Sequence, residues 1–405
     1  MIKGLTNKNL IVWKTQSCNP AIASVRYRCL LPALFLDQEN LKSTILEGTE
    51  DIDFFDNVKA IIFVKTFTKH DYDLANKAHK NGVPIILDLC DNIFVKNYSN
   101  ISNFSEFESM SKLAAVIITT GCELSRILRN RFNTINVTII PDQVESLDSV
   151  EKCCMMIKQW RRSRYGLMHM TNQIESYLKS LKYRFSKKKM AGYSRIPIRL
   201  LTLCYLKFIK CPAANIESTH DLQQTYKRIV WFGNHGASHS TFGIGSLLAI
   251  QKNLEEINKK IPIELLVISN NIEKFDNLIK PFSLKTTYKK WTLQTIFKDI
   301  ADSDVCVLPS FNDEFSLSKS PNRALLALSL GVPVIATRFP AIEGLSSCII
   351  LDDWDNGLYT YLSDDKRVSD DIIKANKIIE DSYSGASVAK KWTSVFRQLV
   401  QYRQI

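Results

Sequence analysis

No stretch of about eighteen consecutive apolar residues occurs in this chain, which argues against a transmembrane helix. The segment Met1 to Lys14 lacks an apolar core followed by a small-residue cleavage site, so no secretory signal is expected there. The ten cysteines show no metal-ligand spacing: Cys153 and Cys154 are adjacent and the others are scattered. They are expected to be reduced and mostly packed, in a cytosolic protein. There is no short-period repeat, no low-complexity tract, no Walker-type phosphate loop and no Ser/His/Asp triad. With 23% charged residues the composition is not that of a disordered chain, and 405 residues, 45% of them hydrophobic, fit two domains better than one core.

What is present is an alternation. Leu10 to Trp13, Ala60 to Val64, Val83 to Asp88, Ala114 to Thr119 and Val137 to Ile140 are apolar runs of strand length. Helical patterns lie between them: Ser24 to Leu31, with Ser24 a candidate N-cap and Pro32 a stop or kink, then Tyr72 to His79 and Glu123 to Arg129. The pattern breaks after about Asp148 and resumes near Arg228. Strands are then expected at Ile229–Phe232, Glu264–Ile268, Val305–Pro309, Val332–Ala336 and Ile349–Leu351. Helices are expected at Ser246–Asn258, Leu293–Ile300, after Ser320, and at Ala386–Gln401. Continuous apolar strands alternating with helices predict parallel sheets covered on both faces, an α/β class with two domains. The expected boundaries are 1–148, a connector at 149–227, 228–383, and a closing helix at 384–405.

The net charge of +12 is unevenly placed. Between Lys158 and Lys210 there are 14 Lys/Arg against one acid, Glu175, which is +13; the rest of the chain is near −1. On a helical wheel Ser194 to Lys210 separates Arg195, Arg199, Lys207 and Lys210 from Ile198, Leu201, Tyr205, Phe208 and Ile209, with Leu203 and Leu206 among the basic residues. Such a helix suits an anionic membrane surface, with Arg161-Arg162-Ser163-Arg164 and Lys187 to Lys189 adding attraction. A basic connector packed on a domain is the plain alternative. Nucleic acid ranks last, because no nucleic-acid-binding motif is present.

The most informative stretch is Lys319-Ser320-Pro321-Asn322-Arg323. Ser320 suits an N-cap and Pro321 the first helical position. Lys319 and Arg323 then flank a helix N-terminus, where the dipole disfavours cations unless an anion binds there. An ordinary capped helix with solvated cations is the plain alternative.

The second half, roughly Lys227 to Gly344, resembles the nucleotide-binding domain of GT-B glycosyltransferases, the large retaining family in particular. The likeness rests on Trp231-Phe232-Gly233, the Asp304 to Pro309 strand, and Lys319 through Thr337, in that order. The first half is similar more loosely, through Ser24-Val25-Arg26-Tyr27-Arg28 and Asp88-Leu89-Cys90-Asp91-Asn92. The connector matches nothing in the family. The resemblance implies two Rossmann-like domains facing a cleft, with a basic helical insertion between them. It implies a hexosyl transfer from a nucleotide-sugar co-substrate to a glycan or lipid-linked acceptor, as in envelope polysaccharide assembly. No metal and no other cofactor is implied, and the setting is the cytoplasm, at the inner face of the membrane. The chain departs from the family where many members carry two glutamates eight apart: aligning on Gly331 places Ser318 and Leu326 there. Glu314 lies close enough to substitute for the ribose-binding carboxylate.

The candidate residues follow. Gly233 and Gly236 let a loop approach phosphate, and His235 is better placed than His239 to touch it. Glu314, Lys319, Ser320, Asn322 and Arg323 complete the donor side. Arg26 and Arg28 sit where an acceptor would meet them, although as helix-surface charges they need no function. Asp88 or Asp91 is the candidate general base, against a plain role in strand-end turns. His70 is a weaker base candidate. Trp291 would border the nucleotide base or belong to the core. Asp352-Asp353 fits a turn better than a metal pair. Two further readings stand beside the transferase: a non-catalytic GT-B-like protein that docks to a membrane or partner through the basic insertion, and a sugar-nucleotide epimerase on the same fold.

Overall fold

The computed structural model describes residues 9–52, 55–95, 103–132, 136–162, 226–233 and 243–401. Of the basic stretch Lys158–Lys210, all beyond residue 162, including the helix expected over Ser194–Lys210, falls outside them. The chain divides into one compact unit of residues 1–156 with 225–405 and a second of 157–224.

The first unit contains two six-stranded sheets in which every strand pairing is parallel. The N-terminal sheet is built from β1 (Leu10–Thr15), β2 (Lys42–Glu47), β3 (Val58–Val64), β4 (Ile85–Leu89), β5 (Ala114–Thr119) and β6 (Val137–Ile139), in the order β2-β1-β3-β4-β5-β6. The C-terminal sheet is built from β7 (Lys227–Phe232), β8 (Ile263–Ser269), β9 (Lys285–Lys290), β10 (Val305–Leu308), β11 (Val334–Ala336) and β12 (Ile350–Leu351), in the order β12-β11-β10-β7-β8-β9. Central strands are buried on both faces because helices cover both: all seven residues of β8 and all five of β4 are buried.

Both strand orders reverse direction once. In the N-terminal sheet the reversal lies between β1 and β3, and in the C-terminal sheet between β7 and β10. In open α/β sheets ligands bind outside the carboxyl ends of strands at such a reversal. The topology therefore singles out the residues after Thr15 and Val64 in one sheet, and after Phe232 and Leu308 in the other.

The edge strands β2 and β9 were not expected from the sequence. Their sequences, KSTILE and KTTYKK, carry charge and hydroxyls because one side of each strand faces no neighbour. The first helix also differs from expectation. It starts at Ala23 with no side-chain cap, so Ser24 lies inside the first turn. It also runs through Pro32 instead of stopping: a π-helical turn, Arg26–Leu30, precedes a helix Leu31–Leu36 that has Pro32 in its first turn. The π-helical turn just before Pro32 is where the helix accommodates a residue that has no amide to donate.

The helix Gly385–Gln401 closes the chain. Its buried residues Val388, Ala389, Trp392, Val395, Phe396 and Leu399 recur at helical spacing and form one stripe. Trp392 meets Trp13 of β1 edge to face, at 5.3 Å between ring centroids, so the last helix is anchored on the N-terminal sheet. Among the described residues no helix is long and apolar enough to cross a membrane.

Candidate functional site

The strand reversal of the C-terminal sheet carries the cation the sequence singled out. The helix Asn322–Ser329 follows β10, and Arg323 sits in its first turn. The Arg323 Nη1 donates to the carbonyl oxygen of Phe232, at the end of β7, at 3.3 Å. Its guanidinium lies 5.8 Å from the centroid of the Trp231 ring. A Cβ built on Gly233 would stand 3.2 Å from Nη1, so glycine is what lets the strand end lie this close to the cation. Arg323 is half-buried and has no carboxylate partner among the described residues. Burial pulls its pKa below the ordinary value, the mark of a charge without compensation.

The helix N-terminus is also open. Ser320 does not cap it: the N-cap position is Pro321, and among the described residues no side chain caps the first-turn amides. The Ser320 hydroxyl instead donates to Oδ2 of Asp142 at 2.6 Å. Uncapped amides, the positive end of the helix and an uncompensated guanidinium all favour an anion at one place.

Two carboxylates of the N-terminal half reach the segment before this helix. Asp91, after β4, accepts from Lys319 through Oδ1 and from Lys65 through Oδ2. Burial alone would raise the Asp91 pKa, but Lys319 and Lys65 outweigh it and hold the carboxylate well below its usual range. Lys319 also stands 3.8 Å over the Phe315 ring. Asp142, after β6, takes the Ser320 hydroxyl and the Nη1 of Arg28, the latter at 3.1 Å.

Arg28 and Asp88 form the buried centre beneath. Arg28 is 1% exposed and Asp88 0%. Arg28 donates from Nε and Nη2 to the two Asp88 oxygens at 2.9 and 2.8 Å, and from Nη1 to the Ile140 carbonyl at 2.8 Å. Burial opposes the charge on Arg28, but Asp88 and Asp142 prevail and raise its pKa. For Asp88 burial prevails over Arg28 and its pKa is raised. Arg26 is held similarly: it pairs with Glu145, with Nη2 to Oε1 at 3.1 Å, and donates to the Pro20 carbonyl at 2.7 Å. The Tyr27 hydroxyl donates to the same Oε1 at 2.6 Å. Burial first and Glu145 second push the Tyr27 phenol well up.

These positions correct the sequence expectations. Arg26 and Arg28 point into buried carboxylates and offer no free face to an acceptor. Asp88 is sealed by Arg28, which leaves it no opening toward a hydroxyl. Asp91 reaches Lys319 of the C-terminal half, but a carboxylate held this low is a weak proton acceptor. Trp291 packs against the C-terminal core, and the Arg26 guanidinium lies 5.9 Å from its ring. His70 is half-buried in the helix Lys69–Lys80, with Nε2 3.4 Å from the Glu50 carbonyl. Asp353 caps the helix Trp354–Ser363 and Asp352 has φ 61°, which is turn chemistry.

Glu314 is exposed in the first turn of the helix Glu314–Leu317, which Asp313 caps. Asn322 is half-buried at the start of the next helix. Ser318 donates to the Phe315 carbonyl, and Leu326 is a core residue, 3% exposed. No carboxylate therefore stands at either aligned glutamate position. His235, Gly236 and His239 lie outside the described residues.

Lys65, Asp142 and Glu145 escaped the reading of the sequence. For Asp142 and Glu145 the only signal was their place after a strand, in Pro141-Asp142-Gln143-Val144-Glu145. For Lys65 the structure adds one: its φ is 48°, a left-handed conformation that costs a side-chain-bearing residue energy.

No family model matches the chain, and no curated protein matches it in sequence. Solved structures do match in fold. Anabaena Alr3699/HepE, in complex with UDP and glucose, is 9% identical at a TM-score of 0.56, over 96% of this chain and 99% of that one. WaaG, a glycosyltransferase involved in lipopolysaccharide biosynthesis, is 11% identical at 0.53, over 95% and 99%. A putative UDP-N-acetylglucosamine 2-epimerase from Listeria monocytogenes is 9% identical at 0.52, over 98% and 97%. Likeness at such identity is likeness of fold, and two Rossmann-like halves matched along nearly their whole length establish it: this chain has the GT-B fold.

Proposed function

We propose that the protein is a glycosyltransferase that binds a nucleotide-sugar through its C-terminal half and moves the sugar, of hexosyl type, to a glycan or lipid-linked acceptor. The single observation that carries this reading is Arg323. It is a half-buried guanidinium without a carboxylate partner among the described residues, against Phe232 and Gly233 at the strand reversal, beside an uncapped helix N-terminus. A diphosphate leaving group is the anion that such preorganised donors stabilise as its charge develops. Lys319 and the first-turn amides of the helix complete the donor side, with Asn322 at its start; Glu314 of the preceding short helix, and His235 and Gly236, which follow Gly233 in sequence, are proposed to join them. The solved HepE structure, with UDP and glucose, supports a sugar nucleotide on this architecture. WaaG supports an envelope polysaccharide setting.

Attack by the acceptor hydroxyl needs a proton acceptor or an equivalent leaving-group oxygen. Asp91 is the carboxylate of the N-terminal half that lies beside Lys319, and it can take a proton only after those lysines turn to another anion. Asp88, Arg28, Asp142, Arg26 and Glu145 act as positioning residues, since they fix the loops that carry Asp91 and Ser320. The basic stretch 158–210 suits an anionic membrane surface at the cytoplasmic face, where a lipid-linked acceptor would be met.

A second reading is favoured by Leu326 and Ser318: two buried uncharged residues stand where the family's glutamates would. In that reading the protein is a non-catalytic GT-B-like module that docks to a membrane or partner. The test is release of free nucleoside diphosphate from UDP-, GDP-, ADP- and dTDP-hexoses by the purified protein, with the sugar product identified by NMR. Release of nucleotide with transfer or hydrolysis of the sugar supports the transferase. A product that is an epimer points to the epimerase class instead. Inert donors across the set leave the non-catalytic module.

A further inference from the structure

Lys65 stands at the strand reversal of the N-terminal sheet, one residue beyond β3, and Lys319 stands before the helix that follows the reversal of the C-terminal sheet. Both ammonium groups donate to one carboxylate, Asp91, through different oxygens. The Lys65 and Lys319 side chains are 30% and 40% exposed, so solvent reaches the cluster. Lys65 keeps its place with φ at 48° while its amide donates to the Asp88 carbonyl at 2.9 Å. A strained backbone that aims a cation at a shared anion is a signature of a site rather than of a surface.

From this geometry we infer that Lys65 and Lys319 form one anion site spanning both halves of the protein, and that Asp91 fills it until the donor's diphosphate takes its place. The inference rests on the donor reading above and adds Lys65 to it. Two ammonium ions and one carboxylate carry a net charge of +1. The diphosphate of a nucleotide-sugar, with two negative charges, satisfies these cations better than one carboxylate does. The exchange also frees Asp91 from the charges that hold its pKa down. The same event that seats the leaving group thus turns a poor proton acceptor into a better one.

The experiment is calorimetric titration of wild type, Asp91→Asn, Lys65→Gly and Arg323→Ala with UDP, GDP, ADP, CDP and dTDP. Asparagine keeps the shape of Asp91 and removes its charge, so the best-bound nucleotide should bind Asp91→Asn roughly fivefold or more tightly than wild type. Glycine suits the left-handed φ of Lys65, so Lys65→Gly should fold and bind the nucleotide roughly fivefold more weakly. Unchanged or weakened binding in Asp91→Asn overturns the exchange, and unchanged binding in Lys65→Gly overturns the shared site. In either case the donor reading survives if Arg323→Ala still abolishes binding. If no nucleotide binds wild type, the inference and the donor reading fall together. Should Asp91→Asn fail to fold, Asp91→Ala decides the exchange in its place: tighter nucleotide binding supports it, and unchanged or weaker binding overturns it.

Discussion

The Ser320 hydroxyl donates to Asp142, 178 residues away in sequence, at 2.6 Å. A serine that ought to cap the helix Asn322–Ser329 is turned toward the other half of the protein, and the helix start is left open. Arg28 holds Asp142 from beneath, so the open end is positioned by a chain from Ser320 to Asp142, Arg28 and Asp88.

The contact predicts a coupling. Removing a hydrogen bond to a charged acceptor costs about 1.5–3 kcal/mol, so Ser320→Ala should destabilise the wild type by that order. In an Asp142→Asn background much of that loss should vanish. Urea denaturation of the two single variants and the double one measures it. If Ser320 were the helix cap, its substitution would cost the same in both backgrounds.

Arg28 predicts a larger effect. It is a buried guanidinium that serves two carboxylates and a carbonyl. Arg28→Met leaves Asp88 buried and unpaired and should cost about 3–5 kcal/mol in denaturant unfolding. Arg28→Lys should not restore stability, because an ammonium cannot make the forked contact with both oxygens of Asp88.

Asp91 sets a pH dependence. Its folded pKa lies below the ordinary aspartate value, because Lys319 and Lys65 overcome the effect of burial. The folded state therefore binds fewer protons than the unfolded one, and the stabilisation is complete above about pH 4 and declines as the pH falls further. The difference in stability between wild type and Asp91→Asn should stay level from about pH 8 to pH 5 and shrink below pH 4. A difference that grows on acidification would contradict the pairing.

Trp392 ties the closing helix to β1 through Trp13. Trp392→Ala removes a fully buried ring and should cost about 3–5 kcal/mol. Deletion from Gly385 onward should be worse, since it exposes the apolar surface that the whole stripe covers.

The sequence carried the central strands plainly, because a strand covered on both faces is mostly apolar, as β4, β5 and β8 are, with Asp88 and Glu264 as buried exceptions. It hid the edge strands β2 and β9, whose lysines and threonines answer to solvent. The place of Lys319 and Arg323 at a helix start could be read from the sequence. Their different fates could not: Lys319 is neutralised by Asp91, 228 residues away, while Arg323 has no carboxylate partner among the described residues. Arg26 and Arg28 read as helix-surface charges, because helical spacing does not reveal that β4 carries Asp88 and the segment after β6 carries Glu145 to meet them. Lys65 gave no signal at all, since backbone strain leaves no trace in residue type.

The central claim is that the C-terminal half holds a donor diphosphate against Arg323 and Lys319. Thermal unfolding with a panel of nucleoside diphosphates, in wild type and in Lys319→Ala with Arg323→Ala, tests it most directly. At about 100 times its dissociation constant a bound nucleotide adds roughly 2.7 kcal/mol, a shift well within measurement. The account predicts that one base shifts the wild type and that the double variant, though folded, does not respond. No response from the wild type, or an equal response from both proteins, would contradict it.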